Sequence, residues 1–326
     1  MPSPERITIA VLGCGRIAAR HARMLGRLRH VNLAFASRSR DRARALAQRH
    51  PGSTVFDSYA EAMSSTGTDA VLIATPPDSH KSLALAALSC GRHVIVEKPA
   101  FLAAADVDEV ARAAAAADRQ VMVAENYHYK PLLGTLRRLL ENEVVGEVRL
   151  IQIDAAKWQR SPDWLGHGAM EGLGALFEGG VHWIHLLAGL GPEITAVRGF
   201  RAGPEHEPER SMTVVAQYRE GATGVLFHSW EIRSPLRGLR LSHIYGTDGT
   251  IGFESNGLFV RVSGRRSRLL FPGLRDIAGY GTMWADFLDA IRRGQPPRMT
   301  MALARRDLEL IEQAYQGAPV GAGSEI

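Results

Sequence analysis

The first third of the chain alternates between two periodicities. Ile7–Leu12 is an unbroken apolar run ending in Gly13-Cys14-Gly15, the signature of a strand covered on both faces. Helical spacing runs from Arg16 to about Leu28, then Val31–Ser37 reads as a strand and Arg40–Arg49 as a helix. Thr54–Phe56, Ala70–Ala74, His93–Glu97 and Val121–Ala124 read as further strands. Helices Ser79–Cys90 and Ala103–Ala117 lie between them. This alternation predicts a parallel sheet with helices on both faces.

Beyond Ala124 the pattern changes. A helix (Leu132–Leu140) leads to a strand of mixed polarity (Val148–Trp158). A glycine-rich stretch (Gly166–Gly174) precedes an apolar helix from about Ala175 to Ala188. Closely spaced runs then follow, Ile194–Phe200, Met212–Tyr218, Gly224–Ile232, Leu239–Tyr245, Thr250–Phe253, Leu258–Val262 and Arg268–Phe271, and these suit an antiparallel sheet. Two amphipathic helices, Met283–Arg293 and Ala302–Tyr315, close the chain. The fold class is therefore α/β. Residues 1–124 form a doubly wound, Rossmann-type parallel domain, and residues 125–326 form an α+β domain with a large, mostly antiparallel open sheet.

Composition narrows the class of function. The 326 residues are 45% hydrophobic and 22% charged, which suits two globular domains, and no apolar run approaches a membrane span. The N-terminus enters a strand directly and lacks the form of a secretory leader. Two cysteines, Cys14 and Cys90, do not suggest a disulfide framework, so the expected compartment is the cytoplasm. The net charge of +5 is scattered, without a basic arm or zinc-finger spacing, so no nucleic-acid partner is expected. Of the 39 basic residues only Lys81, Lys98, Lys130 and Lys157 are lysines. Arginine keeps its proton in a protein whereas a half-buried lysine can release it, so each lysine is a mild pointer to proton chemistry.

Gly13-Cys14-Gly15-Arg16-Ile17-Ala18 is G-x-G-x-x-A between a strand and a helix. Gly13 permits a tight turn, Gly15 lets backbone approach a pyrophosphate, and Ala18 lets the helix pack closely. Arg16 and Ile17 open the helix whose free N–H groups face phosphate. At the end of the second strand stands Ser37-Arg38-Ser39-Arg40, where an acid would bind a ribose 2′-hydroxyl. Ser37 and Arg38 suit a 2′-phosphate, so NADP(H) is favoured, with NAD(H) as the alternative. Thr75-Pro76-Pro77-Asp78-Ser79-His80 and Glu97-Lys98-Pro99 close strands at the same carboxyl edge. Thr75, Pro76, His80, Glu97 and Lys98 are thus cofactor-site candidates. Asp78 or Ser79 is the expected helix cap, and proline 99 is a candidate for a cis bond. Glu178, His182 and His185 share one face if a single helix carries them, and they suit acid–base work. No HExxH or cysteine cluster accompanies them, so no metal is expected.

These segments together resemble the glucose–fructose oxidoreductase / inositol dehydrogenase / rhizopine-catabolism family (Gfo/Idh/MocA). The resemblance extends through Gly174-Ala175-Leu176-Phe177-Glu178-Gly179-Gly180-Val181-His182, Tyr245–Thr250 and Ile291–Pro297. It implies transfer of hydride between NAD(P) and a carbinol carbon, commonly of a sugar, cyclitol or related polyol. It also implies an open sheet that often mediates homo-oligomer contacts. Lys98 matches the family lysine and His182 the acid–base histidine. Glu178 stands where Asp is usual, and His185 where a second Asp is frequent. Asn126–Pro131 resembles the substrate-facing segment, with Tyr127 in it. Trp158, Arg160, Trp164 and His185 are further substrate-site candidates, whereas Trp183 and Trp230 suit the core equally well. The expected mechanism has Lys98 and His182 serving one substrate oxygen, with Glu178 orienting them. The departures at 178 and 185 keep open a non-sugar substrate, such as a dihydrodiol or a ketone. A dinucleotide-sensing protein without catalysis is the remaining alternative.

Overall fold

The computed structural model describes residues 6–162, 165, 168, 171–203, 208–233, 238–264 and 267–317. The chain divides into two compact units, Met1–Ala124 with Met283–Arg305, and Glu125–Thr282 with Arg306–Ile326. The first break falls at Ala124/Glu125. Residues 283–305, read from the sequence as part of the second domain, cluster with the first unit.

In the first unit the strands are β1 (Ile7–Leu12), β2 (Val31–Ala36), β3 (Thr54–Phe56), β4 (Ala70–Ile73), β5 (His93–Val96) and β6 (Val121–Val123). They form one parallel sheet in the order β3-β2-β1-β4-β5-β6. The helices are α1 (Arg16–Leu25), α2 (Arg40–Ala47), α3 (Tyr59–Ser64), α4 (His80–Ser89) and α5 (Ala104–Ala117). The apolar runs of β1, β4 and β5 are buried almost throughout, because helices cover both faces. The short helix α3 escapes the periodicity reading. Its N-terminus is held by Ser58 Oγ, which accepts from the Glu61 N–H at 3.0 Å, and by Glu61 Oε2, which accepts from the Asp57 N–H at 2.7 Å. Strand order reverses between β1 and β4, the place where doubly wound sheets bind ligands.

The second unit opens with a 3₁₀ turn (Asn126–Tyr129) and α6 (Pro131–Glu141). Its strands are β7 (Val148–Ala156), β8 (Ile194–Ala202), β9 (Ser211–Tyr218), β10 (Thr223–Ser229), β11 (Leu241–Gly246), β12 (Gly249–Glu254), β13 (Val260–Gly264) and β14 (Arg268–Leu270). Their order is β14-β13-β12-β11-β7-β10-β9-β8, antiparallel except for the β7–β10 pair. On β10, Gly224, Leu226 and His228 are buried while Phe227 is exposed, the period-two pattern of a sheet covered on one face. The covering helix is α7 (Val181–Ala188), whose Leu187 carbonyl accepts from the Tyr218 hydroxyl at 2.9 Å. The chain ends with α8 (Tyr280–Arg293) and α9 (Met301–Gln316).

The single helix expected from Ala175 to Ala188 is instead a π turn, Leu176–Gly180, running into α7. Its entry is tied down from outside. Tyr315 Oη accepts from the N–H groups of Gly174 and Phe177, Glu209 Oε1 accepts from the Leu176 N–H, and the Tyr315 hydroxyl donates to that same oxygen. Gly179 admits the indole of Trp230, since a Cβ there would sit 2.7 Å from the ring. Wide turns of this kind recur at functional sites, where they re-aim the side chains that follow. Here the next turn carries His182.

Candidate functional site

In the first unit, the residues picked out for a dinucleotide gather at the carboxyl ends of β1, β4 and β5. Gly13 has φ +92°, and a Cβ on it would lie 2.7 Å from the Ala74 carbonyl oxygen, so only glycine lets these two loops touch. A Cβ on Gly15 would meet nothing within 4 Å, so the space above the turn is open. Gly15 caps α1 without a side-chain bond, and no acid stands in the first turn, so backbone N–H groups face that space. The turn thus fits a pyrophosphate, with exposed Arg16 and half-buried Ile17 beside it. Ser37 is half-buried and Arg38 exposed at the end of β2. Thr75 and Pro76 are half-buried, and their loop is locked by Thr75 Oγ1 to Ser79 Oγ (2.7 Å) and by Ser79 Oγ donating to the Pro76 carbonyl (2.8 Å). That second bond replaces the helix cap expected of Ser79.

Lys98 is half-buried just past β5, and its bond to Pro99 is cis. Glu97 is buried rather than facing the cleft. Burial alone would raise its pKa, but the His21 imidazole, the Lys98 ammonium and the Lys98 N–H hold it below the usual carboxylate range. The Trp284 indole N–H donates to His21 Nδ1 at 2.9 Å. Indole nitrogen only donates, so His21 Nδ1 carries no proton and Nε2 donates to Glu97 Oε1. Glu97 therefore acts by positioning, through its second oxygen on the Lys98 N–H at 3.1 Å. His80, expected at the cofactor, is buried too. Its Nε2 lies 2.8 Å from the Thr75 carbonyl, and Nδ1 lies 3.0 Å from both the Pro99 and Ala100 carbonyls. It ties the β4 loop to the β5 loop.

In the second unit His182 is the best-formed acid–base group. Its Nδ1 lies 2.7 and 2.8 Å from the two oxygens of Glu125, a carboxylate only 1% exposed, while the imidazole is 16% exposed. Burial works to raise the Glu125 pKa, but His182, His185 and the Tyr127 N–H bring it down to about 2. An ionised carboxylate accepts only, so the proton of neutral His182 sits on Nδ1, and Nε2 is the basic nitrogen. Tyr127 stacks on this imidazole at 4.5 Å between centroids and 10° between planes, and its edge meets Trp183 at 5.1 Å. Lys130 Nζ lies 4.0 Å over the Tyr127 ring. Burial pulls the Lys130 pKa to about 8; Arg240 acts in the same direction, and Glu254 and Glu125 oppose.

Several sequence expectations change here. The carboxylate on His182 is Glu125, whereas Glu178, expected to orient it, is half-buried on the π turn before α7. His185, expected to face substrate, is fully buried. Its Nδ1 lies 2.6 Å from Asp307 Oδ2 and its Nε2 3.1 Å from His128 Nδ1. One turn of α7 separates the two histidines. Trp158 is 61% exposed beyond β7, and Arg160 is exposed near it. Trp164 lies outside the described residues. Trp183 and Trp230 are core residues. Sequence reasoning missed Glu125, Arg240 and His228, and it gave Lys130, in the substrate-facing segment, no specific role. The scarcity of lysine was the signal available for Lys130, and the domain junction was the signal for Glu125.

Comparison with known proteins agrees with this geometry. Residues 7–125 match the model of an oxidoreductase family with an NAD-binding Rossmann fold, and residues 133–252 match the GFO/IDH/MocA C-terminal domain. A trans-1,2-dihydrobenzene-1,2-diol dehydrogenase from Sus scrofa is 29% identical over 210 residues, 62% of this chain and 61% of that one, so the match spans less than two thirds of the relative's length. Among solved structures, GenD2 from gentamicin A biosynthesis, in complex with NAD, has a TM-score of 0.84 at 26% identity, covering 96% of this chain and 94% of that one. KijD10, a 3-ketoreductase from Actinomadura kijaniata in complex with TDP-benzene and NADP, has a TM-score of 0.81 at 22% identity, covering 96% and 98%.

The hydrogen bonds predict opposite tautomers for two histidines. ¹⁵N-resolved imidazole spectra of the neutral rings should find the proton of His21 on Nε2 and that of His182 on Nδ1. Glu125→Gln should populate the Nε2–H form of His182, because a carboxamide can donate as well as accept. An unchanged His182 tautomer in that variant would remove Glu125 from the role assigned to it.

Proposed function

Because the chain belongs to the GFO/IDH/MocA oxidoreductase family, we propose that it is an NAD(P)-dependent oxidoreductase acting on the carbinol or carbonyl carbon of a sugar, cyclitol or related polyol. The observation that carries this reading is His182, with Nδ1 on the buried Glu125 and a basic Nε2 on an imidazole still open to solvent. A bound nicotinamide would supply the hydride acceptor or donor. In the oxidative direction His182 Nε2 takes the substrate hydroxyl proton. Glu125 stabilises the imidazolium that forms, as a buried carboxylate does for a histidine base. Lys98, at the carboxyl edge of the dinucleotide-binding unit, supplies an ammonium suited to favour an alkoxide-like oxygen. Tyr127 keeps the imidazole from rotating. The dihydrobenzenediol dehydrogenase relative supports a second reading, oxidation of an alicyclic or aromatic diol, with exposed Trp158 against its ring.

Ser37 and exposed Arg38, in place of an acid at the end of β2, support NADP(H) as the preferred cofactor. The outer face of the large sheet exposes Leu150, Phe200, Phe227, Leu241 and Tyr245, which supports a homo-oligomer formed through it. No described helix is long and apolar enough to cross a membrane. Exposed Cys90 and half-buried Cys14, both free thiols, suit a cytoplasmic location.

His182→Ala and Lys98→Ala should each lower kcat by roughly 10²-fold or more, with dinucleotide Kd unchanged in His182→Ala. A panel of polyols, glycosides, dihydrodiols and ketones decides between the two substrate readings, and wild-type turnover in either variant would sink the mechanism. Titration should find NADP⁺ bound more tightly than NAD⁺, with Arg38→Ala removing most of the difference, roughly ten-fold; equal affinities in the wild type speak against it. Sedimentation should give an oligomer that Phe227→Asp dissociates, and a monomeric wild type would refute the sheet interface.

A further inference from the structure

Around Tyr127 and His182, the second unit holds a set of buried polar groups that the proposed hydride chemistry does not use. Arg240 is 7% exposed, with its guanidinium carbon 5.0 Å from the centroid of the Trp183 ring. Its Nη2 donates to Asn256 Oδ1 at 2.7 Å, a neutral acceptor. Among the described residues its Nε and Nη1 meet no hydrogen-bond partner. His228 is 2% exposed, and among the described residues neither ring nitrogen has a hydrogen-bond partner; the same is true of Trp230 Nε1. Burial, reinforced by the positive charges of Lys157 and Arg240 and by His182, brings the His228 pKa down to about 3, so its ring is neutral.

Sheet geometry brings these groups together. His228 on β10 lies directly across from Ala155 on β7. On the other side of β7, Ser255 Oγ lies 2.8 Å from the Asp154 carbonyl and 3.1 Å from the Arg240 carbonyl, which places Arg240 beside β7 as well. Both basic side chains are buried, and Arg240 reaches Trp183 on α7, the helix that covers this sheet face. The nearby carboxylates are already engaged. Glu254 accepts from the Asn256 N–H, the Asn256 amide and the Leu258 N–H, and Glu125 from His182 and the Tyr127 N–H.

We propose that the substrate carries a carboxylate, which Arg240 binds with help from His228 and Lys130. This rests on the oxidoreductase reading and names the substrate class within it: a polyhydroxy acid rather than a neutral polyol. A buried guanidinium with two open nitrogens is costly unless an acceptor reaches them, and an anionic acceptor is the strongest partner it can have. The planar guanidinium fork matches the geometry of a carboxylate.

The test is calorimetric titration of the full chain, with and without NADP⁺, using two matched pairs, D-glucuronate with D-glucose and threonate with threitol. At least one acid should bind roughly ten-fold or more tightly than its neutral partner. Arg240→Gln should weaken acid binding by about 30-fold, with neutral-polyol and dinucleotide Kd within about two-fold of wild type. Arg240→Lys, which keeps a charge in case the first variant folds poorly, should retain part of the preference. Equal affinity for acid and neutral partner in the wild type, or binding of neither acid, overturns the proposal. Dinucleotide reduction by neutral polyols with the same kcat/KM as by acids also overturns it and leaves the oxidoreductase reading standing. Acid-selective binding lost in Arg240→Gln, without dinucleotide reduction by any compound, upholds the carboxylate site and defeats the hydride chemistry.

Discussion

The bond between Glu125 and His182 is the constraint from which the rest of the site follows. A carboxylate buried to 1% would by itself take a proton, and it would then cease to define which imidazole nitrogen is basic. It stays ionised because it accepts from His182 Nδ1 and from the Tyr127 N–H. It is also the first residue after the parallel domain, two positions past β6. The short turn that follows supplies Tyr127 against the imidazole and Lys130 above the tyrosine ring. A carboxylate, an aromatic wall and an amine thus come from six consecutive residues, and only the histidine comes from elsewhere. A longer connection here would place these groups with less precision than a 3₁₀ turn does.

The first unit solves a similar problem with the opposite proton arrangement. Glu97 is also a buried carboxylate on a histidine, but the Trp284 indole on the far nitrogen turns His21 into a neutral donor with no nitrogen left for chemistry. The result is a strut behind Lys98 rather than a base. Trp284 belongs to α8, in the segment that returns to the first unit after the second sheet is complete. The local chemistry behind position 98 therefore depends on a residue far along the chain, and this gives a physical reason for residues 283–305 to fold with the dinucleotide domain.

Much of this was legible in the sequence, for identifiable reasons. Runs such as Ile7–Leu12 and Ala70–Ile73 are buried on both faces and give themselves away by composition. Gly13 marks a turn that no other residue could make so tightly. What stayed hidden is buried polarity. Arg240 and His228 sit at positions that, by residue type, read as solvent-facing. His80 and His185 read as ligand-facing but are consumed by carbonyls and by Asp307. Hydrophobic periodicity cannot detect a charged residue that is inside because another polar group waits for it. It also cannot detect the π turn at Leu176–Gly180, whose apolar residues fit an ordinary helix equally well.

The choice between the two kinds of basic residue is itself informative. The chain uses arginine almost everywhere, yet Lys130 lies over Tyr127, where burial takes its pKa down to about 8. An amine in that environment is close to releasing its proton near neutral pH, so its charge answers to whatever binds nearby. Arg240, at least as deeply enclosed, cannot answer in that way: guanidinium keeps its proton, and its positive charge stays in place whether or not a partner arrives. A permanently charged group stacked on Trp183, with its carboxylate neighbours already engaged, is a fixed anchor. A titratable amine beside it is an adjustable one. The pairing makes physical sense where a molecule must be held by one end while a proton moves at the other.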